Sequence, residues 1–522
     1  MDDDIKVQFN QADQEFFIYF NQKKILEFLQ NYKRQIIENR NEDYHFHLLY
    51  EQLLHIETIE AKIQFNKESQ INYFQLANYL FPNASKLTLN LNELDKLRQD
   101  EIIEIGQFIN KQQKLNELDI ILDRCFEKEQ IQVFFEKIFS NQKDMKKISI
   151  CCLQSKNKEG NEIINAIQII NQAQNLKQLS LRFKQTKENN LYLVKLGESV
   201  ISLNKLIGLC LKIEKEENFI GDGTIHLFQM ISKKIYLLQL SIDVFDQANI
   251  QKELLNQIYQ CTRVLLNLTK FDYTIQGQSI DTESACIIGD TLQGPLHIQD
   301  LILEIHSIQQ NQRVTLFSPI QGNLFLGLAG LQSLSLCIYN NKMQEDGYNF
   351  IGKSLVRIPN LKKLILKIKS QNHQIQNNFL SEFLSQSHQL QNLELQIDDQ
   401  INEQTLESLG NCLYNLCNIN FIKLRILPTF RSTQSLEKLV SSFKPLKQLK
   451  EIFLQIFVYV SKYSIVTSIQ QRNQLKKLIH QQLINSIRDL PNLLSLNFKF
   501  DETTFSKSRI LIKQSKKIVS IY

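Results

Sequence analysis

The chain is 522 residues long, 43% apolar and 22% charged, with a formal net charge of +5. That balance describes a foldable chain rather than a disordered one, and so weak a charge gives no ground for a nucleic-acid-binding protein. The longest apolar runs, such as Ile456 to Val460, fall far short of the roughly 18 residues a membrane span needs, so no membrane insertion is expected.

Residues 1–55 differ in pattern from the rest of the chain. Phe16, Phe17, Phe20, Ile25, Leu26, Phe28 and Leu29 predict an amphipathic, helical N-terminal cap. The opening MDDDIKVQFN lacks the basic-then-apolar pattern of a secretory signal. The nine cysteines are scattered, without a C-x-x-C pair, which predicts reduced thiols and a cytoplasmic address. His45 and His47 would share a face in a strand but not in the helix expected here, and no cysteine or carboxylate completes an obvious metal site with them and His55, so no metal or other cofactor is expected.

From residue 56 to about 500 the chain repeats an apolar signature, L-x-x-L-x-L-x-I, with a period of about 30 residues. It is cleanest at Leu331, Leu334, Leu336 and Ile338, and again at Leu361, Leu364, Leu366 and Ile368. With the second apolar position as anchor, the series runs through Ile59, Leu87, Leu118, Ile148, Leu179, Leu209, Leu238, Leu266, Leu301, Leu334, Leu364, Leu393, Ile422, Ile452 and Leu496, about 15 repeats. Such a period means a solenoid, in which each unit buries its core only against its neighbours.

One repeat can be read physically. Leu334, Leu336 and Ile338 alternate with Ser335 and Cys337, the period of a strand. After the polar Asn340, Asn341 and Lys342, residues Phe350, Ile351 and Leu355 fall at helical spacing, and Pro359 closes the unit. Parallel strands need a crossover of about a dozen residues, which this helix supplies. Helices, at about 10 Å, are wider than strands at about 4.8 Å, so the expected α/β solenoid curves into a horseshoe with a concave parallel sheet and outer helices. The intervals before Leu301 and Leu334 look stretched, with loops or distorted helices expected at 276–294 and 310–321. The interval before Leu496 predicts one long helix over Ile469 to Ile487. Residues 501–522 read as a C-terminal cap strand or a basic tail.

These repeats resemble the leucine-rich-repeat family, in particular its ribonuclease-inhibitor-like class with long repeats and a full helix. The resemblance covers roughly residues 56–500. The family's Asn or Cys five residues after the anchor is met here only by Asn92, which predicts less regular turns.

Gly347 to Ser354 matches the phosphate-loop pattern G-x-x-x-x-G-K-S. The repeat frame nevertheless places Gly352, Lys353 and Ser354 inside a helix, where backbone amides cannot cradle a phosphate. Cys151 falls on the concave side as a passive small residue rather than a reactive thiol. Among the concave-facing positions, Glu60, Glu117 and Asp119 make an acidic N-terminal end. Lys363, Lys367, Lys423 and Arg425, with Phe421 and Phe453, make a basic-aromatic C-terminal end that Glu394 partly neutralises. These residues are the candidate partner-binding set.

The expected function is a non-enzymatic scaffold that binds another protein on its concave face. The resemblance also implies two other readings. One is a regulator of a GTPase, such as a GTPase activator. The other is a ubiquitin-ligase substrate adaptor, which would be expected to open on an F-box with an early Leu-Pro, whereas the first proline here is Pro82.

Overall fold

The structure is a computed structural model. It describes residues 6–10, 15–19, 59–64, 86–90, 115–121, 145–152, 175–185, 190–215, 222–246, 252–277, 282–292, 297–307, 327–339, 345–369, 374–375, 379–428, 434–457, 469–500, 510–514 and 517–521, with a few isolated positions. The chain divides into two compact units, Met1–Ile242 and Asp243–Tyr522.

Unit 1 begins with an antiparallel hairpin, β1 (Lys6–Asn10) and β2 (Glu15–Tyr19). Phe16 and Phe17 therefore lie in a strand and not in the expected helix; Phe20 to Leu29 and the three histidines lie outside the described residues. β2 then runs parallel to β3 (Ile59–Gln64). The parallel series continues through β4 (Lys86–Asn90), β5 (Glu117–Ile121), β6 (Lys147–Cys152), β7 (Gln178–Gln185) and β8 (Gly208–Lys215). Helices α1 (Asn190–Ser202) and α2 (Asp222–Ile231) come after the last two of these strands. Both start against one another, since Asn190 Oδ1 accepts a hydrogen bond from Gly223 N at 2.8 Å.

The strand Gln239–Asp246 (β9) contains the boundary between the units. Unit 2 carries the parallel series β10 (Lys270–Gly277), β11 (Asp300–Ser307), β12 (Ser333–Tyr339) and β13 (Lys363–Lys369). A two-residue strand, β14 (Gln374–Ile375), pairs with the end of β15 (Asn392–Ile401). The series then continues through β16 (Phe421–Pro428), β17 (Glu451–Ile456) and β18 (Ser495–Phe500). Its helices are α3 (Lys252–Val264), α4 (Thr282–Thr291), α5 (Glu345–Leu355), α6 (Ser381–Gln386), α7 (Glu403–Leu413), α8 (Gln434–Ser441) and the expected long α9 (Ile469–Ile487). The basic tail forms a second hairpin, β19 (Ile510–Gln514) with β20 (Lys517–Ile521), and Ile521 pairs with Leu496 of β18. The architecture is the α/β leucine-rich-repeat solenoid that the period implied.

The register sets what each face carries. In unit 2 the row Phe271, Leu301, Leu334, Leu364, Leu393, Ile422, Ile452 and Leu496 runs straight across the sheet. Every member is essentially inaccessible, as are the residues two further on from Tyr273 to Leu454; only Phe498, at the last strand, is half-buried. This row meets the buried faces of the helices, so the intervening residues lie on the opposite, helix-free face.

The register also corrects three anchors. Leu238 is 38% exposed and Leu266 is 55% exposed, while Leu240 and Phe271 are buried. The repeat there is carried by Leu237, Leu240, Ile242 and Val244, then by Leu268, Phe271, Tyr273 and Ile275. Aromatic residues at the core positions of β10 hid the strand, and the run Leu265-Leu266-Asn267-Leu268 supplied a false one. With Phe271 as anchor the next interval is of ordinary length, and residues 282–291 form a regular helix instead of a distorted insertion. In β3, Ala61 and not Ile59 aligns with Leu87.

The strand starts are tied to each other by a recurring device. The amides of Lys362 and Lys363 both donate to Gln332 O, those of Gln391 and Asn392 to Lys362 O, and those of Asn420 and Phe421 to Gln391 O. The same doubled acceptor occurs in unit 1, where Lys177 and Gln178 share Lys146 O. One carbonyl thus satisfies two orphan donors in each of these turns.

Candidate partner-binding face

In unit 1, Glu60, Lys86, Glu117 and Lys147 align in one lateral row of the register. Acid and base alternate along it, and Lys147 Nζ lies 3.3 Å from Glu117 Oε2. Asp119 stands in the adjacent row between Thr88 and Ser149. The sequence-level picture of an acidic end omitted the two lysines. It placed Glu60 in the row of Asp119, because the anchor Ile59 was two residues early.

The other candidates lie in unit 2. β13 presents Lys363, Ile365, Lys367 and Lys369 on the helix-free face, β15 presents Asn392, Glu394, Gln396 and Asp398, and β16 presents Phe421, Lys423, Arg425 and Leu427. On this face the three strands set five cations against two carboxylates. Glu394 aligns between Ile365 and Lys423. Its Oε1 lies 2.9 Å from Lys423 Nζ and 3.5 Å from Lys367 Nζ, although neither ammonium is angled to donate a hydrogen bond to it. It therefore acts as a shared counter-charge, as the sequence implied.

Arg425 is held more firmly. Its Nε donates to Asp398 Oδ1 at 3.0 Å, and its guanidinium lies 4.8 Å from the centre of the Phe457 ring. Gln396 Nε2 donates to the other Asp398 oxygen at 3.3 Å. Phe453 sits beside Lys423, and Phe421 lies beside Asn392 and Glu451. Both rings are half-buried. The structure thus groups Lys363, Lys367, Phe421, Lys423, Arg425 and Phe453 on adjoining strands and adds Lys369 and Phe457.

Sequence reasoning missed a neighbouring cluster on β11 and β12. Glu304 Oε2 lies 3.4 Å from His306 Nε2, and His306 stacks on Tyr339 with ring centroids 4.6 Å apart. Cys337, on the same face, is only 1% exposed. Burial, reinforced by the Glu304 charge, pushes its thiol up, which keeps it protonated and unsuited to attack. The outward positions three and five residues beyond the anchors of two successive repeats would have revealed this group. Cys151 is half-buried at the matching place in unit 1.

The phosphate-loop match is absorbed into α5. Ser354 Oγ donates to Phe350 O at 2.8 Å and is buried. A side chain at Gly352 would run into the carbonyl oxygen of Phe379, so this glycine permits helix and neighbouring repeat to touch. Among the described residues, no group of three His, Cys, Asp or Glu could hold a metal ion, and no helix is long and apolar enough to cross a membrane.

No protein-family model matches the chain, and no curated protein matches it in sequence. Similar solved structures include the leucine-rich-repeat-containing protein LegL7 from Legionella pneumophila. It shares 12% identity over 63% of this chain and 97% of its own, with a TM-score of 0.36. A chain of the yeast Rad7–Elc1 complex shares 12% identity over 92% of this chain and 96% of its own, with a TM-score of 0.39. The strand–helix repeat and straight-row register of its own two units give this chain the leucine-rich-repeat fold.

Proposed function

We propose that the chain is a non-enzymatic protein-interaction scaffold, and that the helix-free face over β13 to β17 receives an acidic polypeptide segment. The surplus of five cations over three carboxylates on β13 to β17, with Phe421, Phe453 and Phe457 set among them, carries this reading. Half-buried aromatic side chains supply anchoring area, and the charges supply orientation and rate. Arg425 is engaged by Asp398 and Phe457, so it is a contact residue rather than a mobile catalytic finger.

The test is native affinity purification with mass spectrometry, comparing wild type with a Lys363/Lys367/Lys423/Arg425→Glu variant whose folding is checked by circular dichroism. A stoichiometric partner lost by the variant supports the reading, and its binding to wild type should weaken with added salt. A partner retained by both moves the interface elsewhere on the chain. Partner-dependent acceleration of GTP hydrolysis would replace the scaffold with a GTPase regulator.

A further inference from the structure

A second surface of unit 2 has a different chemistry. The residues just before the strands form a lateral row of Gln332, Lys362, Gln391, Asn420 and Lys450. Each amide from Lys362 on donates to the carbonyl of the member before it, at 2.7–2.8 Å. Gln389, Asn418 and Gln448 lie two residues ahead of the last three. Between them is an open cavity of about 360 Å³, lined by Lys362, Gln389, Gln391, Asn418, Asn420 and Gln448. The lining is five carboxamides and one ammonium, with no carboxylate and no aromatic ring. Asn418 is spent on His388 O at 2.7 Å, and Lys362 Nζ reaches Gln332 Oε1 at 3.0 Å. The side chains of Gln389, Gln391, Asn420 and Gln448 have no hydrogen-bond partner among the described residues.

A carboxamide offers two donors and two acceptors, the complement of a peptide unit. The strands repeat at about 4.8 Å, so Lys362 and Lys450, three strands apart, stand about 14 Å from each other. An extended chain rises about 3.4 Å per residue and alternates its side chains, so residues i and i+4 share a side at about the same 14 Å. We propose that an extended acidic peptide crosses the strand starts here. Its main chain lies on Gln391 and Asn420, and two carboxylates four residues apart meet Lys362 and Lys450. The flanking ammonium groups and the absence of an aromatic stacking platform in the lining favour this occupant over a neutral oligosaccharide. The inference rests on the reading of unit 2 as a partner-binding element but uses a surface separate from the helix-free face.

The experiment is fluorescence anisotropy of the full chain with capped, dye-labelled nine-residue peptides of Gly, Ser and Thr. They carry two glutamates spaced either E-x-x-x-E or E-x-x-E. Wild type should prefer the first spacing by about 3–10-fold, the value of one hydrogen bond. Lys362→Gln and the Gln391→Ala/Asn420→Ala double variant should each weaken it by at least about 3-fold. The Lys363/Lys367/Lys423/Arg425→Glu variant should keep the spacing preference, which separates failure here from failure of the helix-free face. Equal binding of both spacings by wild type overturns the proposal without recourse to any variant. Binding of maltohexaose with no binding of either peptide also overturns it and assigns the groove to glycans.

Discussion

The phenol of Tyr273 is enclosed in the core of unit 2 with no partner for its hydroxyl among the described residues. Burial pushes its ionisation far above the ordinary tyrosine range, and its ring stacks on Phe271 with centroids 5.5 Å apart. A buried hydroxyl without a hydrogen bond costs about 1–3 kcal/mol, whereas the ring packs equally well without it. Tyr273→Phe should therefore stabilise the chain by about 1–2 kcal/mol, seen as a higher urea midpoint. An unchanged or lower midpoint would mean that the hydroxyl is satisfied. Glu304 makes the opposite kind of contribution. The hydrogen bond from His306 holds its carboxyl below the usual range, against the upward push of burial, with help from Cys337 and Lys367. A depressed carboxylate stabilises the fold above its unfolded-state value, and that stability is lost as pH falls through the folded value. Wild type should thus lose stability on acidification through the carboxylate range more steeply than Glu304→Gln, measured by thermal melts across that range. Strand parity made the outward residues legible in the sequence, including Glu394 between Ile365 and Lys423. The Arg425–Asp398 pair was not legible. Arg425 aligns with Gln396, and the register of β15 slips between Ile397 and Gln400, so the contact runs along a diagonal.

At the scale of the element, the repeat was readable in most strands filled by leucine or isoleucine. It slipped in β10, where phenylalanine and tyrosine hold those places, and by two residues in β9 and β3, where the apolar Leu238 and Ile59 stand just ahead of the true anchors Leu240 and Ala61. The turns were misread for a more specific reason. The asparagine that bridges repeats stands four residues before the anchor, not five after it. Asn360 Nδ2 donates to Ala329 O at 2.9 Å, Asn418 Nδ2 to His388 O at 2.7 Å, and Asn492 Nδ2 to Lys447 O at 2.9 Å. Each side chain satisfies a turn carbonyl of the preceding repeat, so the polar ladder has moved from one end of the strand to the other. The recurrence of Asn before the first apolar position, as in Asn360-Leu361, Asn418-Ile419 and Asn492-Leu493, was the available signal. Because these amides are exposed, water replaces part of what is lost on removal. Asn418→Ala should cost about 0.5–1.5 kcal/mol in chemical denaturation. No measurable loss would reduce the ladder to incidental geometry.

At the scale of the whole molecule, the consequence of stacking is that each repeat is stabilised chiefly by its two neighbours. Gly352 offers a way to perturb one junction alone. In Gly352→Ala the added methyl meets the Phe379 carbonyl, which is backbone and cannot rotate away, so α5 must shift from the next repeat along the chain. Overpacking of this kind costs about 2–3 kcal/mol. In a compact cooperative domain that loss would be felt at every amide. In a nearest-neighbour array it should be local. Hydrogen exchange should show lost protection in β12, β13 and β15, a smaller loss in β10 and β18, and none in β5 to β8 of the other unit. An equal loss in both units would show that the chain opens as a single cooperative block. A loss confined to unit 2 but uniform within it would make the compact unit, rather than the repeat, the element of stability.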